Sequence, residues 1–235
     1  MKVVILAGGY GTRLAEETKL KPKPLVKIGN RPIIWHILKI YSYYGINEFI
    51  ICIGYKGNLI KKELNKFKKK KNWKIKYVNT GLKTLTGGRI KRIKNFVFKD
   101  KNFCLSYGDG LSDVNIRKLI KFHEKRNKIV SLTAVKYKNP KGVLKIDENF
   151  YVRNIKEKPE EYINGGFFVL SRKVFKYLKN DKSIFEKDCL PKLTKKKELL
   201  AFKHNGFWAC MDTIREKNEI NKLWKNKNKA PWKIW

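Results

Sequence analysis

The segment that most constrains the fold of this chain is LAGGYGTRLAEETKLKPKP, at residues 6–24, which continues directly from the short apolar run at residues 2–6. An apolar run that ends in glycines is typical of a buried strand in an α/β sheet. The glycines let backbone N–H groups come close to a phosphate, because no Cβ is in the way. Arg13 and Lys23 add fixed positive charge beside the turn. The segment therefore predicts an α/β protein that binds a polyphosphate next to its first strand.

The spacing of these glycines narrows the choice of phosphate-binding loop. It matches neither the P-loop pattern GxxxxGK[ST] nor the dinucleotide-binding pattern GxGxxG. The segment instead resembles GGxGTRLxxxTxxxxKP, the signature of the sugar-1-phosphate nucleotidyltransferases. The matching residues are Gly8, Gly9, Gly11, Thr12, Arg13, Leu14, Thr18, Lys23 and Pro24.

Later motifs extend this resemblance over most of the chain, and they are most similar to those of the glucose-1-phosphate cytidylyltransferases. The alternative, a glycine-rich βα turn in another α/β enzyme, does not account for so many motifs in the same order. In chain order the motifs are KPKPLVKIGNRPIIWHILKIYSYYGI, FIICIGYKG, TGGRIKR, YGDG, EKP, INGGFFVL, GFWACMDT and KAPWK.

Strand-like and helical segments alternate over the first part of the chain, which predicts a mostly parallel, doubly wound sheet. The resemblance implies the same fold class: α/β, Rossmann-like, with a mostly parallel mixed sheet flanked by helices, of the nucleotide-diphospho-sugar transferase type. We expect a single domain over residues 1–235, with a nucleotide-binding half at 1–139 and a sugar-phosphate-binding half at 140–235. The predicted strands are residues 2–6, 48–53, 73–78, 103–107, 129–136, 142–147, 151–156, 164–170, 198–204 and 206–209. The predicted helices are residues 33–44, 57–71, 86–96, a helix capped by Asp113 that ends at 126, and residues 172–178, 184–195 and 213–225.

The charge of the chain is unusual. Its formal net charge is +36, from 56 lysines and arginines against 20 aspartates and glutamates. The lysines are spread along the whole chain, as expected of solvated faces, and no RNP motif, basic zipper or zinc finger accompanies them. We therefore expect no specific nucleic-acid partner, but attraction of anionic substrates and salt-sensitive, nonspecific binding of polyanions.

The cysteines and the apolar runs indicate where the protein works. The four cysteines show no CxxC spacing, which favours a reducing cytoplasm and gives no sign of a zinc site. No run of about 18 uncharged apolar residues is present, so we expect no membrane span. The N-terminal apolar run is too short for a signal peptide and leads at once into the glycine turn.

The resemblance implies a reaction in which a sugar 1-phosphate attacks the α-phosphorus of a nucleoside triphosphate and releases pyrophosphate. Because the attacking oxygen is already anionic, the site needs cations, backbone N–H groups and a metal rather than a strong base. His36, His123 and His204 lie in no catalytic motif, and we expect them at core or helix-surface positions. The resemblance also implies a role in supplying precursors of polysaccharide deoxysugars.

The residues that would bind the nucleotide follow from the matched motifs. The catalytic pair is Arg13, whose forked guanidinium suits the β- and γ-phosphates, and Lys23, at the position of the family's essential lysine beside the α-phosphate. Pro22 and Pro24 restrict the backbone around Lys23, which argues against an ordinary surface lysine. The other predicted nucleotide-binding residues are Leu6, Ala7, Gly8, Gly9, Gly11, Thr12, Thr84, Gly88 and Arg89.

Base selectivity is assigned to the TGGR region. Thr84 and Arg89 correspond to residues that contact the nucleotide in cytidylyltransferases. An arginine can donate to the O2 and N3 acceptors of cytosine, so we expect CTP as the donor. The alternative is that Arg89 is an ordinary first-turn helix residue that faces solvent.

Two aspartates are candidate Mg²⁺ ligands. Asp109 follows an apolar strand and lies between glycines, at the edge of the sheet where α/β proteins bind ligands. Asp212, in GFWACMDT, matches the family's second metal aspartate. The alternatives are a turn aspartate at Asp109 and an N-cap at Asp212 for the helix that begins near Thr213.

The sugar 1-phosphate is assigned to the second half of the chain. Glu157 and Lys158 match the family's EKP, where the carboxylate would accept from sugar hydroxyls and the ammonium would bind the phosphate. An exposed turn is the alternative for this motif. Asn164 and Gly165 match its NGG, and Gly142 lies in the predicted hairpin.

One departure from the family concerns the stretch after Lys71, which is shorter here than is usual in cytidylyltransferases. The shorter stretch leaves open whether glucose 1-phosphate is the acceptor. It also leaves open how the subunits assemble, and we expect a homo-oligomer. The remaining alternatives are the same chemistry with UTP, dTTP or another phosphorylated acceptor, a polyanion-binding protein on an enzyme scaffold, and a glycosyltransferase. A glycosyltransferase would need a DxD motif, which the sequence lacks.

Overall fold

The computed structural model describes residues 1–68, 71–138, 141–158, 160–225 and 230–235, apart from the side chains of Arg13, Ala15, Glu16 and Lys138. The strands are β1 (Val3–Leu6), β2 (Lys27–Ile28), β3 (Arg31–Pro32), β4 (Glu48–Ile53), β5 (Lys74–Asn79), β6 (Asn102–Tyr107), β7 (Gly110–Ser112), β8 (Val130–Lys138), β9 (Val143–Ile146), β10 (Val152–Lys156), β11 (Glu160–Ser171), β12 (Leu199–His204) and β13 (Trp208–Cys210). The helices are α1 (Ala15–Thr18), α2 (Ile33–Tyr43), α3 (Gly57–Lys68), α4 (Thr86–Arg92), α5 (Ile116–Arg126), α6 (Leu190–Lys195) and α7 (Ile214–Lys225).

A seven-stranded mixed sheet, in the order β12-β8-β11-β6-β1-β4-β5, organises the chain. β1 runs parallel to β4 and β6, β4 to β5, and β8 to β12. β11 is antiparallel to both of its neighbours, β6 and β8. The predicted mixed, mostly parallel sheet is therefore confirmed. Since β11 lies between two strands from the first part of the chain, the two predicted halves share one sheet; their boundary at 139–140 falls outside the described residues.

The hydrophobic core lies on both faces of this sheet. Val3 and Ile5 of β1 are fully buried in one cluster, which includes α2, while Val4 is buried in the other. Side chains alternate between the two faces of a strand, so a strand that is apolar at every position must be covered on both faces. The apolar runs of β1 and β4 reflect this double covering.

One predicted helix cap is wrong. α5 begins at Ile116, and its N-cap is Asn115, whose Oδ1 accepts from Lys118 N at 2.9 Å. The predicted cap, Asp113, lies outside the helix, where its Oδ1 is 2.9 Å from His204 Nε2. The contact with β12 therefore holds the Asp113 carboxylate away from the helix end.

Four predicted helices differ in detail from those observed. The helix predicted at 172–178 is a 3₁₀ helix at Arg172–Tyr177. The helix predicted at 57–71 is described over Gly57–Lys68, and residues 69–70 lie outside the described part. The helix predicted at 86–96 ends at Arg92 and is followed by a 3₁₀ turn at Lys94–Phe96. The helix predicted at 184–195 opens as a π turn at Phe185–Cys189, directly before α6. Pro191 has no N–H for an ordinary helical hydrogen bond at this point, which accounts for the irregular start.

Two of the histidines are core residues, as predicted. His36 accepts from Trp232 Nε1 at 3.3 Å and contacts the Ile28 carbonyl at 3.1 Å, and burial lowers its pKa to about 4. His123 lies 2.9 Å from Ser131 Oγ, and burial likewise lowers its pKa to about 4. Both imidazoles are therefore neutral at physiological pH.

Within the described residues, no helix combines the length and apolar character needed to cross a membrane.

Candidate active site

A cavity of about 820 Å³ opens beyond the carboxyl ends of β1 and β6. This is the edge at which open α/β sheets bind ligands, and the volume is that of a typical small-molecule site. Residues 6–12, 23–24, 82–86, 89, 106–110, 163–166, 186, 208, 210 and 212 line it. The cavity therefore collects side chains from segments far apart in the sequence.

The glycine turn forms one wall of the cavity. Gly11 has a φ of +71°, and its carbonyl accepts from Thr18 Oγ1 at 3.1 Å. A Cβ on Gly8 would lie only 2.0 Å from Arg89 Nη1. Glycine is thus required at Gly11 for the backbone conformation and at Gly8 for close contact with Arg89. Thr12 lines the cavity, and the 3₁₀ turn at Thr12–Leu14 carries the backbone of Arg13, whose side chain lies outside the described part.

Arg89 connects the glycine turn to the segment before α4. Its side chain donates from Nη1 to Thr80 Oγ1 at 2.6 Å and to Gly81 O at 3.0 Å, and from Nη2 to Gly8 O at 2.9 Å. The residue is only 4% exposed, and this burial lowers its pKa. The alternative of a solvent-facing Arg89 is therefore excluded. The guanidinium lies at the cavity wall and fixes the two backbone segments that frame it.

The other predicted residues near α4 lie in two different places. Thr84 is buried and lines the cavity. Gly88 packs against the loop at residues 178–184, called the 180s loop below. Its N–H donates to Ser183 O at 3.2 Å, and a Cβ there would lie 2.6 Å from Asp181 Cα. Of Thr84 and Gly88, only Thr84 thus lines the cavity.

Lys23 lies between the two candidate metal aspartates. Its Nζ is 2.5 Å from Asp109 Oδ2 and 2.5 Å from Asp212 Oδ1, and its side chain is 10% exposed. Burial lowers the pKa of Lys23, but the charge of Asp109 and the hydrogen bonds to both carboxylates outweigh it, so the pKa is raised overall. The ammonium therefore carries a full charge at neutral pH.

Pairing of two short strands brings the aspartates together. β13 is antiparallel to β7, with Cys210 opposite Gly110, and Met211 N donates to Asp109 O at 3.0 Å. Asp109 directly precedes β7, and Asp212 lies two residues after the end of β13. The strand pair thus sets the separation of the carboxylates.

Asp212 does not cap α7. Thr213 and Glu216 form a capping box: Glu216 N donates to Thr213 Oγ1 at 3.2 Å, and Thr213 N donates to Glu216 Oε2 at 2.8 Å. The Glu216 carboxylate also accepts from Asp212 N at 2.8 Å. The helix start is satisfied without the Asp212 carboxylate, which instead contacts Lys23.

The donor set fits a divalent cation. Carboxylate oxygens of Asp109 and Asp212 and the Sγ of Cys210 lie within 4.8 Å of one another. The Lys23 ammonium already occupies a cation position between the carboxylates. Once Lys23 turns away, the two aspartates could hold Mg²⁺, with phosphate oxygens and water completing its octahedral shell.

A polar network that the sequence did not predict lines the opposite wall. The Tyr107 hydroxyl donates to Glu186 and accepts from Asn164 Nδ2 at 3.3 Å, while Thr86 Oγ1 donates to the other Glu186 oxygen at 2.7 Å. Burial, and next the charge of Glu186, raise the pKa of Tyr107, so it remains a phenol. Tyr107 lies in the YGDG motif, so the sequence contained a signal from which it could have been identified. Glu186 lies in a π turn without a motif, and only the fold reveals it.

The predicted sugar-phosphate residues fall into two groups. Asn164 and Gly165 line the cavity, and Gly165 O accepts from Trp208 Nε1 at 2.8 Å. Within the described chain, Gly142, Glu157 and Lys158 are exposed and lie outside the cavity lining. They adjoin one another at the base of the β9–β10 hairpin, where a Cβ on Gly142 would be 3.0 Å from Glu157 Oε2. Pro159 of the EKP motif lies outside the described residues.

Comparison with known proteins identifies the family of this chain. The family described as Nucleotidyl transferase matches residues 2–224. Over 258 aligned residues the chain is 44% identical to the glucose-1-phosphate cytidylyltransferases of Salmonella typhi and Salmonella typhimurium (strain LT2), with all of both chains covered in each case. The crystal structure of HddC from Yersinia pseudotuberculosis has a TM-score of 0.76 at 27% identity, covering 95% of this chain and 99% of that one. The chain is therefore a nucleotidyltransferase and belongs to the nucleotidyl transferase family.

Proposed function

We propose that this enzyme transfers the cytidylyl group of CTP to glucose 1-phosphate, giving CDP-glucose and pyrophosphate. The observation that carries the proposal is the contact of Lys23 with both Asp109 and Asp212 beside the glycine turn. It supplies the cation and the paired carboxylates that phosphoryl chemistry needs. The names and 44% identity of the two Salmonella relatives support CTP and glucose 1-phosphate as the substrates.

The triphosphate would lie along the glycine turn. Backbone N–H groups of Gly8, Gly9 and Gly11 would contact its oxygens, and Thr12 and Arg13 would extend the contact to the β- and γ-phosphates. The base would lie against the backbone of residues 6–8. Arg89 supports this assignment because it holds the Gly8 carbonyl and residues 80–81 in place.

Selection of cytosine would depend on Thr84 and Arg89. Both residues line the cavity, and the Arg89 guanidinium holds its N–H donors in fixed positions on the wall where the base would lie. Because the two Nη atoms of Arg89 already donate to four protein groups, the fourth being Leu82 O at 3.4 Å, Arg89 would select the base both through a direct contact and through the wall that it holds. Gly88 would act indirectly, by letting α4 pack closely on the 180s loop.

The catalytic role of Lys23 follows from its surroundings. Nucleotidyltransferases of this family generally use a divalent metal ion. A Mg²⁺ ion held by Asp109 and Asp212 would supply positive charge to the α-phosphate and to the departing pyrophosphate. Lys23 would then exchange its carboxylate contacts for an α-phosphate oxygen and stabilise the charge that develops there. The acceptor phosphate oxygen attacks in line and requires no general base.

The acceptor would be bound from two sides. Asn164 and Gly165 support sugar binding inside the cavity, where Asn164 contacts Tyr107. Glu157 would accept from sugar hydroxyls, Lys158 would bind the phosphate, and Gly142 would allow close approach of the hairpin. Because these three residues are exposed and lie outside the cavity lining, the hairpin would have to move toward the cavity for them to contact glucose 1-phosphate. This assigns nucleotide binding to residues 1–139 and acceptor binding to 140–235.

We further propose a cytoplasmic homo-oligomer. The four free cysteines support a reducing compartment. Exposed apolar side chains on the β9–β10 hairpin, among them Phe150 at 90% and Ile155 at 68%, support an association surface. Sedimentation of the purified protein would test the assembly; a monomer at micromolar concentration would contradict it.

The deciding experiment is pyrophosphate release with Mg²⁺ and glucose 1-phosphate, comparing CTP, UTP, dTTP, ATP and GTP. Release with CTP alone, with CDP-glucose identified by mass spectrometry, is the expected result. The alignment of 258 residues against a chain of 235 shows that the Salmonella relatives contain residues absent here. Release that requires UTP, dTTP or another phosphorylated acceptor would therefore assign the shortened region a role in specificity. No release with any pair would overturn the proposal.

A further inference from the structure

Cys210 is the one cysteine of the described chain that lines the active-site cavity. Alternation along β13 turns Trp208 and Cys210 toward the cavity, and Asp212 continues the same face, while Ala209 and Met211 pack on the core. The thiol is thus presented to the same space as the catalytic carboxylates. The proposed Mg²⁺ chemistry does not require the Cys210 thiol.

The thiol lies within ligand distance of both aspartates. Cys210 Sγ and one oxygen each of Asp109 and Asp212 are all within 4.8 Å of one another. All three residues are partly buried. Three donors bound to one Zn²⁺ ion lie roughly 3.5 Å apart, given Zn–S and Zn–O distances of about 2.3 and 2.1 Å. Side-chain movements of about an ångström would therefore close the set around an ion.

The chemistry of this donor set differs from that of two carboxylates alone. Mg²⁺ takes oxygen ligands in an octahedral shell and gains little from sulfur. Zn²⁺ and Cd²⁺ bind thiolates strongly, and three protein ligands with one open position are a common arrangement for zinc. Cys210 thus gives the softer ions a ligand that Mg²⁺ does not use.

We propose that Asp109, Cys210 and Asp212 form a binding site for a thiophilic divalent cation, Zn²⁺ or Cd²⁺, which competes with Mg²⁺ for the same carboxylates. Binding breaks the Cys210 S–H bond, forms a metal–sulfur bond and releases the proton to solvent. The Lys23 ammonium leaves the position between the carboxylates. The competition with Mg²⁺ rests on the proposed function, whereas the site itself does not.

The consequence is inhibition of turnover by these ions. An ion held by three protein ligands in a four-coordinate shell keeps one position for substrate. Mg²⁺ held by two carboxylates keeps four. The softer ion therefore lies closer to the thiol and contacts fewer phosphate oxygens than Mg²⁺ does. It occupies the Mg²⁺ site but does not stabilise the phosphates as Mg²⁺ does, so turnover falls.

The test is a Cd²⁺ titration of the metal-free protein without substrates, followed by the ultraviolet charge-transfer absorption of a cadmium–thiolate bond. We expect a band that saturates at one equivalent, is absent in Cys210→Ser and is displaced by excess Mg²⁺. Cys189→Ser, which removes a buried thiol outside the cavity lining, is the matched control and should retain the band. Asp109→Asn should weaken Cd²⁺ binding by at least about tenfold, since even loss of an outer partner of a ligand has that effect.

A kinetic measurement completes the test. The Zn²⁺ concentration that halves the rate at fixed Mg²⁺ should rise at least about tenfold in Cys210→Ser, relative to that variant's own zinc-free rate. A band that persists in Cys210→Ser, the absence of any band in the wild type, or indifference to Mg²⁺ would overturn the proposal. Because the cadmium titration uses no substrate, it remains decisive even if the enzyme proves not to use CTP.

Discussion

Lys23 and Asp212 are 189 residues apart in the sequence, yet the Lys23 ammonium lies 2.5 Å from the Asp212 carboxylate. The contact joins the segment after the first strand to the last strand pair of the chain. With Asp109 on its other side, Lys23 balances two carboxylates that would otherwise repel each other in a partly buried site. The ion pairs thus link segments that form the cavity wall, and under the proposed function Lys23 would also provide the cation for transfer.

Replacement of Lys23 by Gln should reduce turnover strongly without unfolding the protein. We expect kcat/KM to fall by about 10²–10³, as when an enzyme loses one stabilising donor in the transition state. The matched control is Lys21→Gln, which removes a lysine that contacts Glu17 at the surface and should leave the rate nearly unchanged. Pyrophosphate release with CTP measures both, and equal rates for the two variants would contradict the assignment.

Replacement of Arg89 by Lys should relax the choice of base. Lysine keeps the charge but cannot reach Thr80, Gly81 and Gly8 with one forked group. We expect the ratio of kcat/KM for CTP to that for UTP to fall by about tenfold, the equivalent of about 1.4 kcal/mol. Arg92→Lys is the control, because Arg92 is exposed and pairs with Asp181. An unchanged ratio in Arg89→Lys would show that the base is selected elsewhere.

Gly8→Ala should act through the same arginine. Its Cβ would overlap Arg89 Nη1 and displace the guanidinium from the wall. We therefore expect a rise in KM for CTP in Gly8→Ala and a non-additive effect when it is combined with Arg89→Lys. Additive losses would mean that Gly8 acts on the triphosphate independently of Arg89.

Lys158→Ala should affect the acceptor and not the nucleotide. We expect KM for glucose 1-phosphate to rise about tenfold or more, because a charge-assisted contact to phosphate contributes roughly 1.5–3 kcal/mol. The KM for CTP should stay constant. Lys156→Ala, on the same hairpin at an exposed position, is the control. Parallel increases in both KM values would indicate a general effect on the fold.

The stability of the protein should fall between pH 7 and pH 5. His36 and His123 are buried, and their pKa values are lowered to about 4. Since an unfolded imidazole has a pKa near 6.5, the unfolded chain binds more protons between about pH 4 and 6.5, and stability is lost as the pH falls through that window. Each histidine should account for about 2 kcal/mol at pH 5.

Urea unfolding at pH 7 and pH 5 measures this loss. In His123→Gln about half of the pH dependence should disappear, while the His36 contribution stays. A variant that loses as much stability on acidification as the wild type would show that His123 does not contribute.

Much of the site could be predicted because its chemistry is local. The glycine turn, Lys23 between two prolines, and Asp109 after a strand all depend on neighbours within a few residues, and the structure gathers them in one cavity. The network of Tyr107 with Glu186 could not be predicted in this way. The two residues are 79 positions apart, and their contact depends on how the π turn before α6 packs beneath α4.

By itself, the sequence determined most of the strands of the main sheet, the longer helices and the residue types suited to a polyphosphate, since these follow from side-chain periodicity and backbone conformation. The short elements β2, β3, β7 and α1 were not predicted. Only the tertiary structure decided that β11 runs antiparallel within the sheet, that Asn115 rather than Asp113 caps α5, and that Cys210 faces the carboxylates. Each of these depends on strand order and register, which bring together residues distant in the chain. The physical reason is that the packing of whole helices and strands sets such contacts, and a short stretch of sequence does not determine how those elements pack.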